Sequence, residues 1–386
     1  MKSKRILFLI IFSQFAGTSL WFAGNAIMPD LIIEMGLKPG DLGSVTSAVQ
    51  AGFIIGTLVF AFTAVADRFS PSKVFFVCSI VGAVFNASIY FLPKELLSVV
   101  ITRFLTGVML AGIYPIGMKI AADWYKDELG KAIGYLVGAL VLGTAFPSLI
   151  RALGSQLEWS VVLGVVSILV CAGGFLVLFF IKDGPYRQPM AKFNPGGIGT
   201  LFKSSGYRSA SFGYFGHQWE LYTFWAFIPT LLAHHRGTVD NISLWTFLII
   251  GSGAIGSSVG GILSEKWGSA FVAWVNLLGS GLCIILFPVF IQFPLPVFFT
   301  YMLVWGWVVV GDSPQFSALA AITTPKSQIG SGLILMNCIG YTVSIASIYT
   351  LNYLIGYFDI SNVILVLLPG PILGLIAIYP LKKQRL

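Results

Sequence analysis

Stretches of about twenty apolar residues recur along this chain, each closed by charged residues, prolines or glycines, and that length is what an α-helix needs to cross a bilayer. Twelve are legible, over residues 6–28, 42–64, 74–92, 96–119, 132–153, 159–181, 209–232, 242–263, 270–291, 297–322, 328–350 and 360–380. The connections are short, Pro93, Lys94 and Glu95 alone separating the third from the fourth. Spans and turns therefore consume nearly all of the 386 residues and leave no room for a soluble catalytic domain. Composition agrees: 10% of residues are charged, where a water-soluble domain carries about a quarter, and the mean hydropathy is +0.88.

A net charge of +8 would suggest nucleic acid as the partner of a soluble protein; here its distribution reads as topology and no nucleic-acid partner is expected. With the N-terminus in the cytoplasm, odd spans run outward and even ones return. All of the 23 Lys and Arg then fall on the cytoplasmic side except Lys38, Lys94, Arg151 and Arg236 outside, and Arg103 within a span. This is the positive-inside bias, and it predicts a multi-pass protein of the bacterial inner membrane with both termini cytoplasmic. The first run, after Lys2, Lys4 and Arg5, has the look of a signal peptide, with Gly24-Asn25-Ala26 as a possible cleavage site. It continues to Met28, however, and is read as the first span. Cys78, Cys171, Cys283 and Cys338 each lie inside an apolar run, as small buried residues do.

The longest polar stretch, 182–208, holds Pro185, Pro189, Pro195 and Gly196-Gly197, and it separates six spans (1–181) from six (209–386). It reads as a cytoplasmic linker, with a short interfacial helix around Ile198 to Phe202. The two halves repeat. Asp67-Arg68 follows the second span and Glu265-Lys266 the eighth, acid then base in both; Gly112-Ile113-Tyr114-Pro115 in the fourth is echoed by Gly311-Asp312-Ser313-Pro314 in the tenth. The expected fold is all-α: a polytopic membrane protein of twelve transmembrane helices in two six-helix halves. Such parallel repeats are a transporter architecture.

The chain at this point resembles the major facilitator superfamily along its whole length. Gly261-Ile-Leu-Ser-Glu265-Lys266-Trp267-Gly268 matches that family's loop pattern Gly-x-x-x-acid-base-x-Gly, and the copy around Asp67-Arg68 keeps the acid and base without the glycines. The resemblance implies that Asp67, Arg68, Glu265 and Lys266 latch one conformation, since a carboxylate at a helix end pairs with a base or with a helix N-terminus. Arg103-Phe-Leu-Thr-Gly107 looks like the family's fourth-helix motif, which implies proton coupling or substrate binding for Arg103. The fifth-helix pattern of proton antiporters is poorly matched: Pro147-Ser148 stands where Gly-Pro is expected. Residues 112–151 are also similar to uncharacterised bacterial members grouped with nitrate and cyanate porters, but no arginine lies in the second or eighth span, which argues against nitrate.

Four ionisable residues fall within predicted spans: Arg103, His217, Glu220 and Asp312. A charge at the bilayer centre costs from ~3 to above 10 kcal/mol, so such groups face a wet cavity or one another. The resemblance implies that helices 1, 4, 7 and 10 line the cavity, and these four residues lie on 4, 7, 7 and 10. His217 and Glu220, three apart, are expected to share a proton, with a Glu220 to Arg103 ion pair as the alternative. Asp312 and Gln315 share a helix face beneath Trp305, and Pro314 removes a backbone hydrogen bond beside them. Substrate-binding candidates are Arg103, Tyr114, Trp21, Asn25, Tyr222, Trp225, Trp305, Gln315, Asn337 and Tyr341; proton-coupling candidates are Glu220, Asp312 and His217. Aromatics in that set suit an organic molecule better than a small inorganic ion. Gly256-Ser-Ser-Val-Gly260 and Gly134-Tyr-Leu-Val-Gly138 are small-residue spacings that permit close helix approach.

No phosphate-binding Gly-x-x-x-x-Gly-Lys-[Ser/Thr] loop occurs, and His234-His235-Arg236 with Asp240 has no third ligand within reach, so neither cofactor nor metal is expected. The expectation is a monomeric carrier, not an enzyme, whose partners are a small organic solute, protons and the lipid bilayer. Proton-coupled symport by alternating access is the reading, against export of amphipathic compounds or a non-transporting sensor.

Overall fold

The computed structural model describes residues 2–125, 129–154, 158–187 and 198–383; residues 188–197 of the expected linker lie outside them. The described residues are helices and connections with no strand. They fall into two compact units, Met1–Met190 and Ala191–Leu386. The first contains α1 (Lys2–Thr18), α2 (Ala23–Ala26), α3 (Met28–Met35), α4 (Asp41–Thr63), α5 (Val65–Arg68), α6 (Pro71–Ser88), α7 (Leu96–Leu110), α8 (Tyr114–Trp124), α9 (Leu129–Leu153) and α10 (Trp159–Phe180). The second contains α11 (Ile198–Leu201), α12 (Ser205–Ala233), α13 (Ile242–Trp267), α14 (Ser269–Phe290), α15 (Leu295–Gly311), α16 (Ser313–Thr323), α17 (Ile329–Ile355), α18 (Ile360–Val363) and α19 (Pro369–Lys383).

Ten helical segments among the described residues are long and apolar enough to cross a membrane, and they match ten of the twelve expected spans. The other two expected spans are helical as well. The first is interrupted: α1 ends at Thr18, where the Thr18 hydroxyl bonds Gln14 O at 2.8 Å and the Ser19 hydroxyl bonds Ala16 O at 2.6 Å. Side-chain oxygens that engage the preceding turn are known to bend helices, and here residues 19–22 form a turn before α2. The expected continuous run over 6–28 is thus corrected to two helices and a turn. The seventh span, α12, is 29 residues and about 44 Å long; it is made less apolar by His217, Gln218 and Glu220.

Each unit packs by the same plan. In the first, α4 lies against α7, α6 against α10, and α1 against α9 and α10. In the second, α13 lies against α15, and α12 against α17 and α19. Close crossings need glycine: a Cβ added at Gly256 would sit 2.2 Å from the Trp307 carbonyl oxygen. The Gly256 to Gly260 spacing therefore does pack, whereas at Gly134 nothing lies within 4 Å, so that glycine makes no close approach. Large apolar side chains also cover the outside, Phe91, Ile168 and Ile262 among them, as lipid-facing surfaces require.

Both units break the same helix at the same place. α7 stops at Leu110 and α8 restarts at Tyr114 with Pro115 in its first turn; α15 stops at Gly311 and α16 restarts at Ser313 with Pro314 in its first turn. Proline fits the first turn of a helix because its missing N–H has no partner there anyway. Asp312 occupies the junction in the second unit, and Ile113 occupies it in the first.

Candidate functional site

In the first unit Arg103 of α7 reaches the turn that follows α1 and binds the backbone carbonyls of Leu20 and Trp21. Its Nη2 donates to Leu20 O at 2.5 Å and Trp21 O at 2.9 Å, and its Nη1 donates to Asn86 Oδ1 at 3.1 Å. Asn86 in turn donates to Leu163 O and the Ser167 hydroxyl, so the guanidinium joins α1, α6, α7 and α10. Arg103 is wholly buried, its Nε has no hydrogen-bond partner, and its bonds end on neutral oxygens. Gly24 faces it: a Cβ there would lie 3.0 Å from Nε. Trp21 packs against Phe53 with the rings tilted and their centroids 4.9 Å apart, and Asn25 donates to the Thr46 hydroxyl at 2.7 Å. Tyr114 is half-buried at the start of α8.

In the second unit the same α15–α16 break presents a carboxylate. Asp312 Oδ1 lies 2.8 Å from His217 Nδ1, and each side chain is 1% exposed. The imidazole is flanked by the rings of Tyr214 and Phe316, each with its centroid 5.9 Å away. Its second nitrogen, Nε2, is buried without a hydrogen-bond partner. Glu220, one turn on, goes elsewhere: its Oε1 accepts from the Trp305 indole N–H at 2.7 Å, while the Ser280 hydroxyl of α14 donates to Leu277 O at 3.2 Å. Trp305 is held in turn by stacking on Phe224 at 4.2 Å. The expected sharing of a proton between His217 and Glu220 is therefore corrected. Three residues along a helix turn two side chains about 60° apart, enough to send His217 to the α15–α16 junction and Glu220 towards α14 and α15.

A second polar group lines α12 and α17. The Tyr222 and Tyr341 hydroxyls are 2.8 Å apart, Trp225 packs on Tyr222 at 5.4 Å, and Gln218 donates to the Tyr214 hydroxyl. Gln315 is buried on α16 and Asn337 half-buried on α17. Of the expected latch residues, Asp67 and Arg68 lie on α5, and Glu265 and Lys266 are exposed at the end of α13. His234 and His235 bond backbone carbonyls, of Thr230 and Phe293 respectively. No group of three or more metal-ligating side chains occurs among the described residues. Asn86, Ser280, Phe224 and Phe316 are the site neighbours that the sequence did not single out. Asn86, a lone amide in an apolar run, carried a signal; the others look like any core residue.

Two like helical units, each opening one helix beside a buried ionisable side chain, define a polytopic membrane protein built by repetition. The chain belongs to the major facilitator superfamily, whose family model matches residues 7–208. It is 26% identical over 261 residues to the probable sulfoacetate transporter SauU of Cupriavidus necator, a match covering 60% of this chain and 58% of that protein. It is 30% identical over 193 residues to the 4-hydroxybenzoate transporter PcaK of Acinetobacter baylyi, covering 48% of this chain and 40% of that one. The chain thus spans little more than half the length of these curated relatives at most. Among solved structures, the human organic anion transporter MFSD10 (TETRAN) superposes with a TM-score of 0.75 at 14% identity, over 97% of this chain and 99% of that one. The proton:xylose symporter XylE, bound to 6-bromo-6-deoxy-D-glucose, gives 0.76 at 13% identity, over 99% and 96%. These two likenesses establish the shared fold.

Proposed function

We propose that the protein is a secondary transporter, not an enzyme, that carries a small organic anion by alternating access, in symport with a proton. The observation that carries this reading is the pair His217 and Asp312, two groups able to exchange a proton, buried at 1% exposure in the middle of a membrane helix bundle. An ionisable pair there is costly to keep and is a functional site by default. Arg103 supplies the positive charge that an anion needs, and Tyr222, Trp225 and Tyr341 supply aromatic surface for its organic body. Glu220, Asp312 and His217 are the titratable groups that make up the proton-coupling site, and Trp305, Gln315, Asn337, Tyr114, Trp21 and Asn25 are the further substrate contacts. The relatives' substrates, sulfoacetate and 4-hydroxybenzoate, are the organic anions to try first.

The proton gradient would drive accumulation at about 1.4 kcal/mol per pH unit for each proton carried. In this reading both termini are cytoplasmic in a bacterial inner membrane, the chain works as a monomer, and Asp67-Arg68 and Glu265-Lys266 latch one conformation. Uptake of labelled 4-hydroxybenzoate and sulfoacetate into proteoliposomes tests it. An inward proton gradient is expected to accelerate uptake of at least one, and Glu220→Gln to slow it. Uptake indifferent both to the gradient and to that substitution would overturn the proposal.

A further inference from the structure

Three titratable side chains sit at mid-span in the second unit, and their surroundings differ in a way that assigns them different work. Glu220 is tethered: the Trp305 indole bonds its Oε1, and the indole is itself fixed by stacking on Phe224. His217 and Asp312 differ. Their 2.8 Å contact uses Nδ1, while Nε2 is buried with no partner. A buried nitrogen left unpaired costs free energy, and chains retain few such groups without a use for them.

Resting on the proton-coupled reading above, we propose that His217 Nε2 is the atom that takes up the transported proton, with Asp312 as its fixed counter-charge and Glu220 as a positioning residue that stays out of the relay. Nδ1 lies 2.8 Å from Asp312 Oδ1, at ion-pair distance, and both that oxygen and Nε2 are buried without a hydrogen-bond partner; before uptake the ring is neutral, with its single proton on Nδ1 towards the carboxylate and a lone pair on Nε2. One proton adds to that lone pair and gives an imidazolium, so the pair passes from a net charge of −1 to zero. Release returns the proton from Nε2 and restores the bare nitrogen. The break between α15 and α16 serves this directly, because it places Asp312 at the N-cap of α16, where a helix end favours negative charge. The rings of Tyr214 and Phe316 lie against the imidazole, each tilted with its centroid 5.9 Å away.

Of the other ionisable side chains on the elements around the ring, α12 carries Tyr214, Glu220 and Tyr222, α15 Tyr301, α14 Cys283, and α17 Cys338 and Tyr341. The charged residues of α12 to α19 otherwise lie at helix ends: Arg208, Glu265, Lys266, Lys382 and Lys383. Asp312 is thus the one carboxylate in contact with His217 among the described residues.

Nitrogen NMR of the full chain in detergent, labelled with 15N-histidine, reads the site without knowledge of the substrate. The sequence has three histidines, and an H234Q/H235Q variant leaves His217 alone. At high pH its spectrum is expected to show a protonated Nδ1 and a bare Nε2, converting to imidazolium on acidification. D312N is expected to reduce the imidazolium fraction at a given pH by roughly tenfold, the size of effect a neighbouring charge exerts, and E220Q to leave it unchanged. An Nε2-protonated neutral ring in the wild type overturns the proposal, and needs no variant that must fold. So does an imidazolium fraction that D312N leaves in place. If uptake proves independent of protons while the spectrum behaves as stated, the transport reading falls and the proton site stands. Proton-driven uptake with the opposite tautomer removes the site and keeps the reading.

Discussion

Arg103 carries a full charge into the interior of the first unit, and what receives it is backbone. Two of its three hydrogen bonds end on the carbonyls of Leu20 and Trp21, in the turn after α1, and the third ends on Asn86. Arg103→Ala would remove all three, and losing one partner of a buried hydrogen bond costs about 1–3 kcal/mol. The thermal midpoint in detergent is expected to fall by roughly 5 °C or more, and by less in Arg103→Lys, whose ammonium keeps a donor but not the planar fork. An unchanged midpoint in the alanine variant would show that the guanidinium does not hold α1. The position of Arg103 was legible in the sequence because an arginine stands out in an apolar run. Its partners were not, because a carbonyl belongs to every residue and has no letter. The His217–Asp312 pair was hidden differently: both residues were visible, but local spacing grouped His217 with Glu220, and the bond that exists spans 95 positions.

Helices show the same limit at the next scale. Apolar length located ten spans, since burial in lipid imposes it directly, while the two expected spans that failed on length or composition, α1 and α12, are those whose polar residues build the sites. The break in α1 arises from hydroxyls that compete for carbonyls, and short hydroxyl side chains are too common in apolar helices to announce it. The short α3 is held by three tethers: Arg151 pairs with Asp30 at 2.6 Å, while Lys94 and the Trp159 indole both bond Glu34. The Lys94 and Trp159 hydrogen bonds hold the Glu34 carboxyl below its ordinary 4.5. A depressed carboxyl value means that the folded state favours the ionised form. Its contribution is present above the ordinary value and is lost as pH falls through the depressed one. Glu34→Gln is therefore expected to lower the thermal midpoint at neutral pH, and the gap from wild type should close as pH falls below the ordinary 4.5. A gap of constant size across that range would mean the tether owes nothing to the charge.

At the scale of the whole chain, repetition is the main economy: two units share one packing plan and one broken helix, yet among the described residues the second alone places an ionisable pair at mid-span, the first having Lys119 and Asp123 paired near the end of α8. One proton-accepting pair fixes how charge moves. A monoanion carried with one proton crosses as a neutral sum, so the pH difference drives it at about 1.4 kcal/mol per unit and the membrane potential does no work on it. Were Glu220 a second carrier, the same anion would cross with two protons and a net charge of +1. A potential of 100 mV, negative inside, would then add about 2.3 kcal/mol, close to a fifty-fold gain in accumulation. Proteoliposomes loaded with potassium and treated with valinomycin separate these cases for a monocarboxylate probe. Accumulation is expected to follow the imposed pH difference and to stay the same when the potential is clamped from zero to 100 mV. A gain approaching fifty-fold that Glu220→Gln abolishes would assign the second proton to Glu220, and its hydrogen bond with Trp305 would then have to open in each cycle.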